Sequence, residues 1–205
     1  MKESGFDVAK KLDTLSIAAI IYMLNPTVAH AEGNAFGITM GQSVTALHII
    51  KTIRPNVYKI TVPLPNREFE SYYVFATKKQ GVCKVVASGR DHNDDRYGAD
   101  TKLSYNKIKE GLSTKYGTFE EFDFLRDGAL WRDSNDWVMS IKQHERTLRV
   151  FWVSDVNSNL PTEVQGIDLS VEATEIDSSY IRLGYEFSNL AACESEKDII
   201  ENSGL

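Results

Sequence analysis

The sequence has little positive charge and few of the residues that most often carry chemistry. Its 205 residues include only two cysteines and four histidines, and 23 basic residues stand against 29 acidic ones, for a formal net charge of −6. Nucleic-acid binding depends on a basic surface that neutralises phosphates. The charge balance therefore argues against a nucleic-acid partner and is compatible with a basic protein partner.

Recognised catalytic patterns are missing as well. The chain contains no Gly-x-Ser-x-Gly, no His-Glu-x-x-His and no close group of cysteines and histidines, which are patterns of common hydrolases and zinc sites. His48, His92 and His144 are scattered between different predicted elements. Catalysis is therefore not indicated and no cofactor is expected, and an enzyme that uses Asp91, Asp94 or Asp95 with His92 in an unrecognised polar site is the remaining alternative.

A long hydrophobic run is also missing. The most apolar segment, residues 15–24, is about half of the ~20 residues that a membrane-spanning helix needs. Two lysines precede it, Pro26 follows it, and Ala29-His30-Ala31 places small side chains where a signal peptidase requires them. We expect residues 1–31 to be a cleaved signal peptide, the protein to be periplasmic, and no stable membrane span to remain after cleavage. A buried N-terminal helix is the alternative.

The two cysteines are the natural partners of one disulfide if the protein is exported. Cys83 lies in a strand-like run and Cys193 follows the last such run. Disulfides form in oxidising compartments, and closing a loop of about 110 residues stabilises the fold by roughly 4 to 5 kcal/mol in the chain-entropy model. We expect a Cys83–Cys193 disulfide, with two separate buried thiols as the alternative.

The first half of the chain predicts one helix and three strands. Ser43 is a candidate N-cap for a short helix over residues 44–51, which ends before Arg54-Pro55. Three strand-like runs separated by short polar turns follow, and short turns favour an antiparallel meander. These runs cover residues 57–64, 68–77 and 82–88.

The second half predicts one helix and four strands. The helix spans residues 102–116 and ends at Gly117, and residues 119–125 follow as a loop. The predicted strands cover residues 137–143, 147–154, 164–173 and 180–188, the last two with clear apolar alternation. The pattern predicts an α+β fold with antiparallel sheet and two helices, in a single domain over residues 32–205 whose halves, 36–90 and 98–190, are two similar helix-plus-meander units.

The segment before the first predicted helix carries a resemblance. Gly37-Ile-Thr-Met-Gly41-Gln-Ser43 resembles the Gly-x-x-x-Gly-x-Ser/Thr opening of small secreted domains such as the outer-membrane assembly lipoprotein BamE and the repeats of the β-lactamase inhibitor protein. The resemblance covers residues 36–90 and departs in having one helix, not two, before the strands. It implies a binding or inhibitory scaffold and transfers no functional residue. A longer pattern is also similar to exported bacterial proteins of unassigned function: a helix that ends at Tyr116-Gly117, paired tryptophans, strands, and a terminal Tyr185-Glu-Phe-Ser-Asn189 followed by Cys193.

An acidic loop contains the one arrangement that suggests a metal. Asp91, Asn93 and Asp95 have the alternating spacing with which a calcium-binding loop begins. Arg96 then stands where such a loop needs glycine, and Lys102 stands where it needs a glutamate. Asx turns in a solvated loop are the competing interpretation.

An acidic aromatic segment is the candidate contact surface. Phenylalanines interleaved with carboxylates can offer apolar anchors inside an anionic rim, because aromatic side chains dominate interface hot spots. The competing interpretation is that the phenylalanines close one edge of the core. A loop tryptophan is a further surface candidate, whereas Trp137 and Trp152 are expected to be buried. The candidate binding residues are Phe119, Glu120, Glu121, Phe122, Asp123 and Trp131.

These features favour a non-enzymatic periplasmic domain that binds another protein. The leading hypothesis is an inhibitor or immunity protein that neutralises a basic secreted toxin, since the chain is acidic, exported and without a catalytic motif. The alternative is an envelope structural or assembly factor that binds outer-membrane proteins or peptidoglycan.

Overall fold

The computed structural model describes residues 33–154 and 159–202, so the predicted signal peptide over residues 1–31 lies outside the described part. Within these ranges there are ten strands and three helices. The strands are β1 (Asn34–Ala35), β2 (Ile38–Thr39), β3 (His48–Arg54), β4 (Val57–Thr61), β5 (Phe69–Thr77), β6 (Gly81–Gly89), β7 (Glu120–Leu125), β8 (Arg146–Val153), β9 (Val164–Ala173) and β10 (Ser179–Phe187). The helices are α1 (Ala99–Tyr116), α2 (Trp137–Lys142) and α3 (Leu190–Asn202).

Eight strands form one antiparallel sheet in the order β3-β4-β5-β6-β10-β9-β8-β7. Each half of the chain contributes a meander of four consecutive strands, and the two meanders meet where β6 pairs with β10. Short connections favour this antiparallel arrangement. The predicted α+β class and antiparallel meanders are confirmed.

The core lies between the sheet and the two helices α1 and α2. Inward side chains alternate along β9 and β10, as expected for strands with one buried face: Ile167, Leu169 and Val171 on β9, and Ile181, Leu183, Tyr185 and Phe187 on β10. From α1, Tyr105, Ile108, Leu112 and Tyr116 are buried against them. The predicted alternation and the predicted helix end at Gly117 are both confirmed.

Three local predictions are wrong. Residues 44–51 form a single turn of 3-10 helix over Val44–Ala46 and then enter β3, where four of seven residues are Ile or Thr, whose branched side chains suit strands. Residues 137–143 form α2, whose buried residues Trp137, Val138 and Ile141 have helical spacing. Residues 119–125, expected as a loop, contain β7.

The Cys83–Cys193 disulfide is confirmed, and it attaches a helix that the sequence did not predict. Cys193 lies on α3, which follows β10, and Cys83 lies on β6. The Thr77 hydroxyl donates to Glu196 of α3 at 2.6 Å, and the Asn189 amide donates to two backbone carbonyls at 3.1 Å. The helix is therefore held at the end of β5 and β6 by one covalent link and several hydrogen bonds.

Candidate protein-binding surface

One face of the eight-stranded sheet has neither α1 nor α2 packed on it, and we call it the open face. Cross-strand pairing places a row of alternate residues from neighbouring strands on this face. Most of these side chains are half-buried or exposed, unlike the residues on the helix-covered side. The open face comprises Lys59, Tyr73, Phe75, Lys84, Val86, Arg182, Glu186, Asp168, Arg149, Phe151, Glu120, Phe122 and Phe124.

A bridged carboxylate lies near the middle of the open face. Asp168 is buried and accepts hydrogen bonds from Arg149 at 2.6 Å and from Arg182 at 2.9 Å. The bond to Asp168 raises the pKa of Arg149, whose guanidinium also lies 4.3 Å from the ring centroid of Phe151. Charge-assisted bonds of this kind hold long side chains in one geometry. The two arginines and Phe151 therefore form a fixed platform.

Two phenylalanines extend this platform to the β7 edge. Phe122 and Phe124 are 42% and 51% exposed, and the Phe122 ring lies 5.8 Å from the ring of Phe151 in an edge-to-face arrangement. Phe122 is paired across the strands with Arg149. Exposed aromatic rings beside arginine are a composition typical of interface hot spots. We call Phe122, Phe124, Phe151 and Arg149 the phenylalanine end of the open face.

Three other candidate residues of this segment, Phe119, Glu121 and Asp123, lie on the helix-covered side or pack against the core. Glu121 pairs with Lys109 of α1 at 2.6 Å, and Asp123 pairs with Arg146 at 3.6 Å. The Phe119 ring packs on the fully buried Trp152 with 5.4 Å between ring centroids. Because side chains alternate along β7, the carboxylates of the predicted anionic rim lie on both sides of the sheet. Glu121 and Asp123 lie on the helix-covered side, and Glu120 lies with Phe122 on the open face.

The opposite end of the open face carries a cleft of about 570 Å³ under α3. Its walls combine open-face residues with Arg54 from β3 and three residues of α3: Leu190, Glu194 and Lys197. Lys84 is paired inside it with Glu186 at 2.5 Å. Because four cationic and two anionic side chains line it, this end of an otherwise acidic chain is locally basic.

Trp131 lies in a separate loop that is fixed by one carboxylate. Glu145 is 4% exposed and accepts from the backbone N–H of Leu130 at 2.8 Å and of Trp131 at 2.9 Å. Arg126 donates to the same carboxylate at 3.2 Å. The hydrogen bond from the backbone N–H of Trp131 is the largest cause that lowers the pKa of Glu145 below its ordinary value. The bonds from Leu130 and Arg126 lower it further. The position of Trp131 is therefore fixed by its hydrogen bond to Glu145, a contact that the sequence pattern did not predict.

The Glu145→Gln variant tests this anchor. The folded state lowers the pKa of Glu145, so the carboxylate stabilises the fold above its unfolded pKa of 4.5 and this stability is lost as the pH falls through the folded pKa. We expect Glu145→Gln to be less stable than the parent near pH 7, with the gap narrowing as the pH falls below 4.5 and through the lowered pKa of the folded state. Urea denaturation near pH 7 and below pH 4.5 measures it. The exposed Glu110→Gln serves as the control, and an equal gap at both pH values would contradict the assignment.

The predicted calcium loop is engaged in local hydrogen bonds. The Asp95 carboxylate accepts from the backbone N–H groups of Ala99, Asp100 and Thr101 at 2.7, 2.9 and 3.3 Å, so it caps the start of α1. Asn93 accepts from Ser178, and Asp91 accepts from Thr174. Among the described residues no group of three or more His, Cys, Asp or Glu is placed to hold a metal ion. Calcium binding stays a prediction that these contacts do not support.

Comparison with known proteins gives no relative. No family model, no curated protein and no solved structure matches the chain. The resemblance to BamE-like and β-lactamase-inhibitor-like domains therefore stays a prediction. In the part of the chain that the structure describes, no helix is both long enough and apolar enough to cross a membrane.

Proposed function

We propose that this chain is a non-enzymatic periplasmic domain that recognises another protein through the open face. The observation that carries the proposal is the phenylalanine end, where Phe122 and Phe124 stand exposed beside the Arg149–Phe151 pair. Large aromatic rings are usually withdrawn from water, and exposed apolar patches on soluble proteins mark interaction sites. The Cys83–Cys193 disulfide supports an oxidising compartment.

The size and rigidity of the open face suit a protein partner. Eight strands spaced about 4.8 Å apart make a face roughly 34 Å wide, which is sufficient for an interface of standard size, about 800 Å² on each partner. The Arg149–Asp168–Arg182 bridge fixes the platform before binding, and such preorganisation lowers the entropic cost of association. A rigid aromatic platform favours recognition of a folded surface.

Glu120 and the acidic charge of the whole chain favour a basic partner. Glu120 adjoins the phenylalanines on the open face, and the whole chain carries a net charge of −6. Complementary charge speeds encounter and disfavours wrong partners. A basic secreted protein therefore suits the phenylalanine end, and neutralisation of a basic toxin by an inhibitor or immunity protein is the form of the function that we propose.

Site-specific photo-crosslinking tests the proposal. With p-benzoylphenylalanine in place of Phe124, irradiation in an envelope extract should give one dominant crosslinked protein, identified by mass spectrometry. The matched control carries the same group in place of Leu103, which is 70% exposed on α1 and lies on the other side of the sheet. We expect no such crosslink from position 103.

The outcomes separate the alternatives. Capture of a basic toxin at position 124 supports neutralisation. Capture of an outer-membrane protein at that position supports envelope assembly instead. Equal crosslinking from positions 103 and 124, or none from position 124, would remove the open face as the recognition surface.

A further inference from the structure

The first edge of the sheet, β3, is exposed along its whole length. Ile49, Ile50 and Ile53 are 41%, 62% and 48% exposed, so three β-branched apolar side chains lie at an edge with which no other strand of residues 33–154 and 159–202 pairs. The same strand carries the cations Lys51 and Arg54. An edge with exposed apolar residues is a template for pairing with another strand. The edge of β3 is therefore both apolar and basic.

The opposite edge, β7, has the complementary composition. Five of its six residues are exposed, including Phe122 and Phe124. Its charged residues, Glu120, Glu121 and Asp123, are all acidic. Glu121 and Asp123 are already paired within the chain, so Glu120 is the carboxylate that contributes most at the open-face side. The edge of β7 is therefore apolar and acidic.

From these two edges we infer that copies of this chain associate head to tail, with β3 of one copy beside β7 of the next. Two β3 edges repel each other because both are basic, and two β7 edges repel because both are acidic. Only the unlike pairing joins opposite charges. The charges that disfavour a symmetric dimer thus select a heterologous contact, which builds either a ring or an open chain of copies.

Strand direction agrees with this contact. In an antiparallel sheet of eight strands the first and last strands run in opposite directions. A second copy that continues the sheet, rotated to follow its twist, therefore brings its β7 antiparallel to β3 and continues the alternation. In that arrangement Glu120, the first residue of β7, lies beside Arg54, the last residue of β3. Both side chains belong to the open-face side of their strands.

The bulges of β3 set the strength of the contact. The register to β4 shifts between Ile49 and Lys51 and again between Thr52 and Arg54. Bulges and edge charges interrupt regular pairing, and proteins use them to prevent uncontrolled aggregation. The association is therefore weak, reversible and dependent on the charged pair. It goes beyond the proposed function and does not depend on it.

Sedimentation velocity across a concentration series up to about 1 mM tests the inference. We expect the parent chain to pass through dimers to longer species, with weaker association at high salt because exposed charges are screened. Arg54→Glu and Glu120→Arg should each weaken self-association by at least about tenfold. Both residues are exposed, so folding should be retained, which circular dichroism checks. Lys115→Glu, an exposed charge reversal on α1, should behave as the parent.

Mixing the two edge variants gives the decisive result. In the mixture the intact β7 edge of the Arg54→Glu chain meets the intact β3 edge of the Glu120→Arg chain, and the two reversed positions again pair opposite charges. We expect each variant alone to associate weakly and the equimolar mixture to regain association like that of the parent. A parent chain that stays monomeric, an Arg54→Glu variant that associates like the parent, or a mixture that does not associate would each overturn the inference. If self-association fails these tests, the expected crosslink between position 124 and a foreign protein is not affected. If position 124 crosslinks only to a second copy of this chain, the proposed function is wrong and the self-association is not.

Discussion

Removing the Cys83–Cys193 disulfide lowers the free energy of unfolding by about 4 to 5 kcal/mol in the chain-entropy model, because the bond closes a loop of 110 residues in the unfolded chain. The suitable variant replaces both cysteines with alanine, since both sulfur atoms are fully buried and serine would bury an extra hydroxyl there. Urea denaturation of the variant and the oxidised parent measures the difference.

The reduced parent is the control for this experiment. Reduction breaks the bond without truncating a side chain, so its stability should fall by a similar amount. The hydrogen bonds of Thr77 and Asn189 to the α3 region remain in both cases. A loss below about 1 kcal/mol in both samples would show that these hydrogen bonds hold α3 and that the disulfide adds little.

Replacing Gly98 with alanine is expected to destabilise the fold by roughly 2 to 5 kcal/mol, through two separate effects. Gly98 has a φ of +66°, a left-handed conformation in which a Cβ is unfavourable. A Cβ at this position would also overlap ring atoms of Trp137, which is buried at the start of α2. Thermal or urea denaturation measures the loss.

Gly128 provides a matched control for Gly98. Its φ of +75° is similar, but a Cβ added there meets nothing within 4 Å. Gly128→Ala should therefore lower the free energy of unfolding by only about 1 kcal/mol, the cost of a left-handed backbone conformation for alanine. Equal losses in the two variants would mean that the contact between Gly98 and Trp137 contributes nothing.

The parts of the fold that the sequence predicted are those with an unambiguous local period. The strands β5, β6, β9 and β10 alternate because one face is buried by helices or loops, and α1 ends at a glycine with φ of +81°. Local sequence is sufficient for such elements. The edge strands β3 and β7 have almost no buried residues, so no buried face marks them as strands, and they were predicted as a helix and a loop.

The candidate surface was predictable only in part. The run of phenylalanines and carboxylates identified Phe122 and Glu120 as surface residues, yet it did not show that Glu121 and Asp123 face the opposite side. The Arg149–Asp168–Arg182 bridge joins three strands, so it depends on a register that no short motif encodes. Phe151 and Arg149 join the same surface through that register.

The seam between β6 and β10 has a consequence for the order of folding. Each meander joins strands that are close in the chain, whereas the seam pairs Tyr185 of β10 with Val85 of β6, which are far apart in the sequence. Closing a long loop costs more entropy than closing a short one, and distant contacts slow folding. We therefore expect the two meanders to assemble first and the seam to close last. Once Cys83 and Cys193 are joined, β6 and the end of β10 are already held close together. The seam then closes only a short loop, like a local contact.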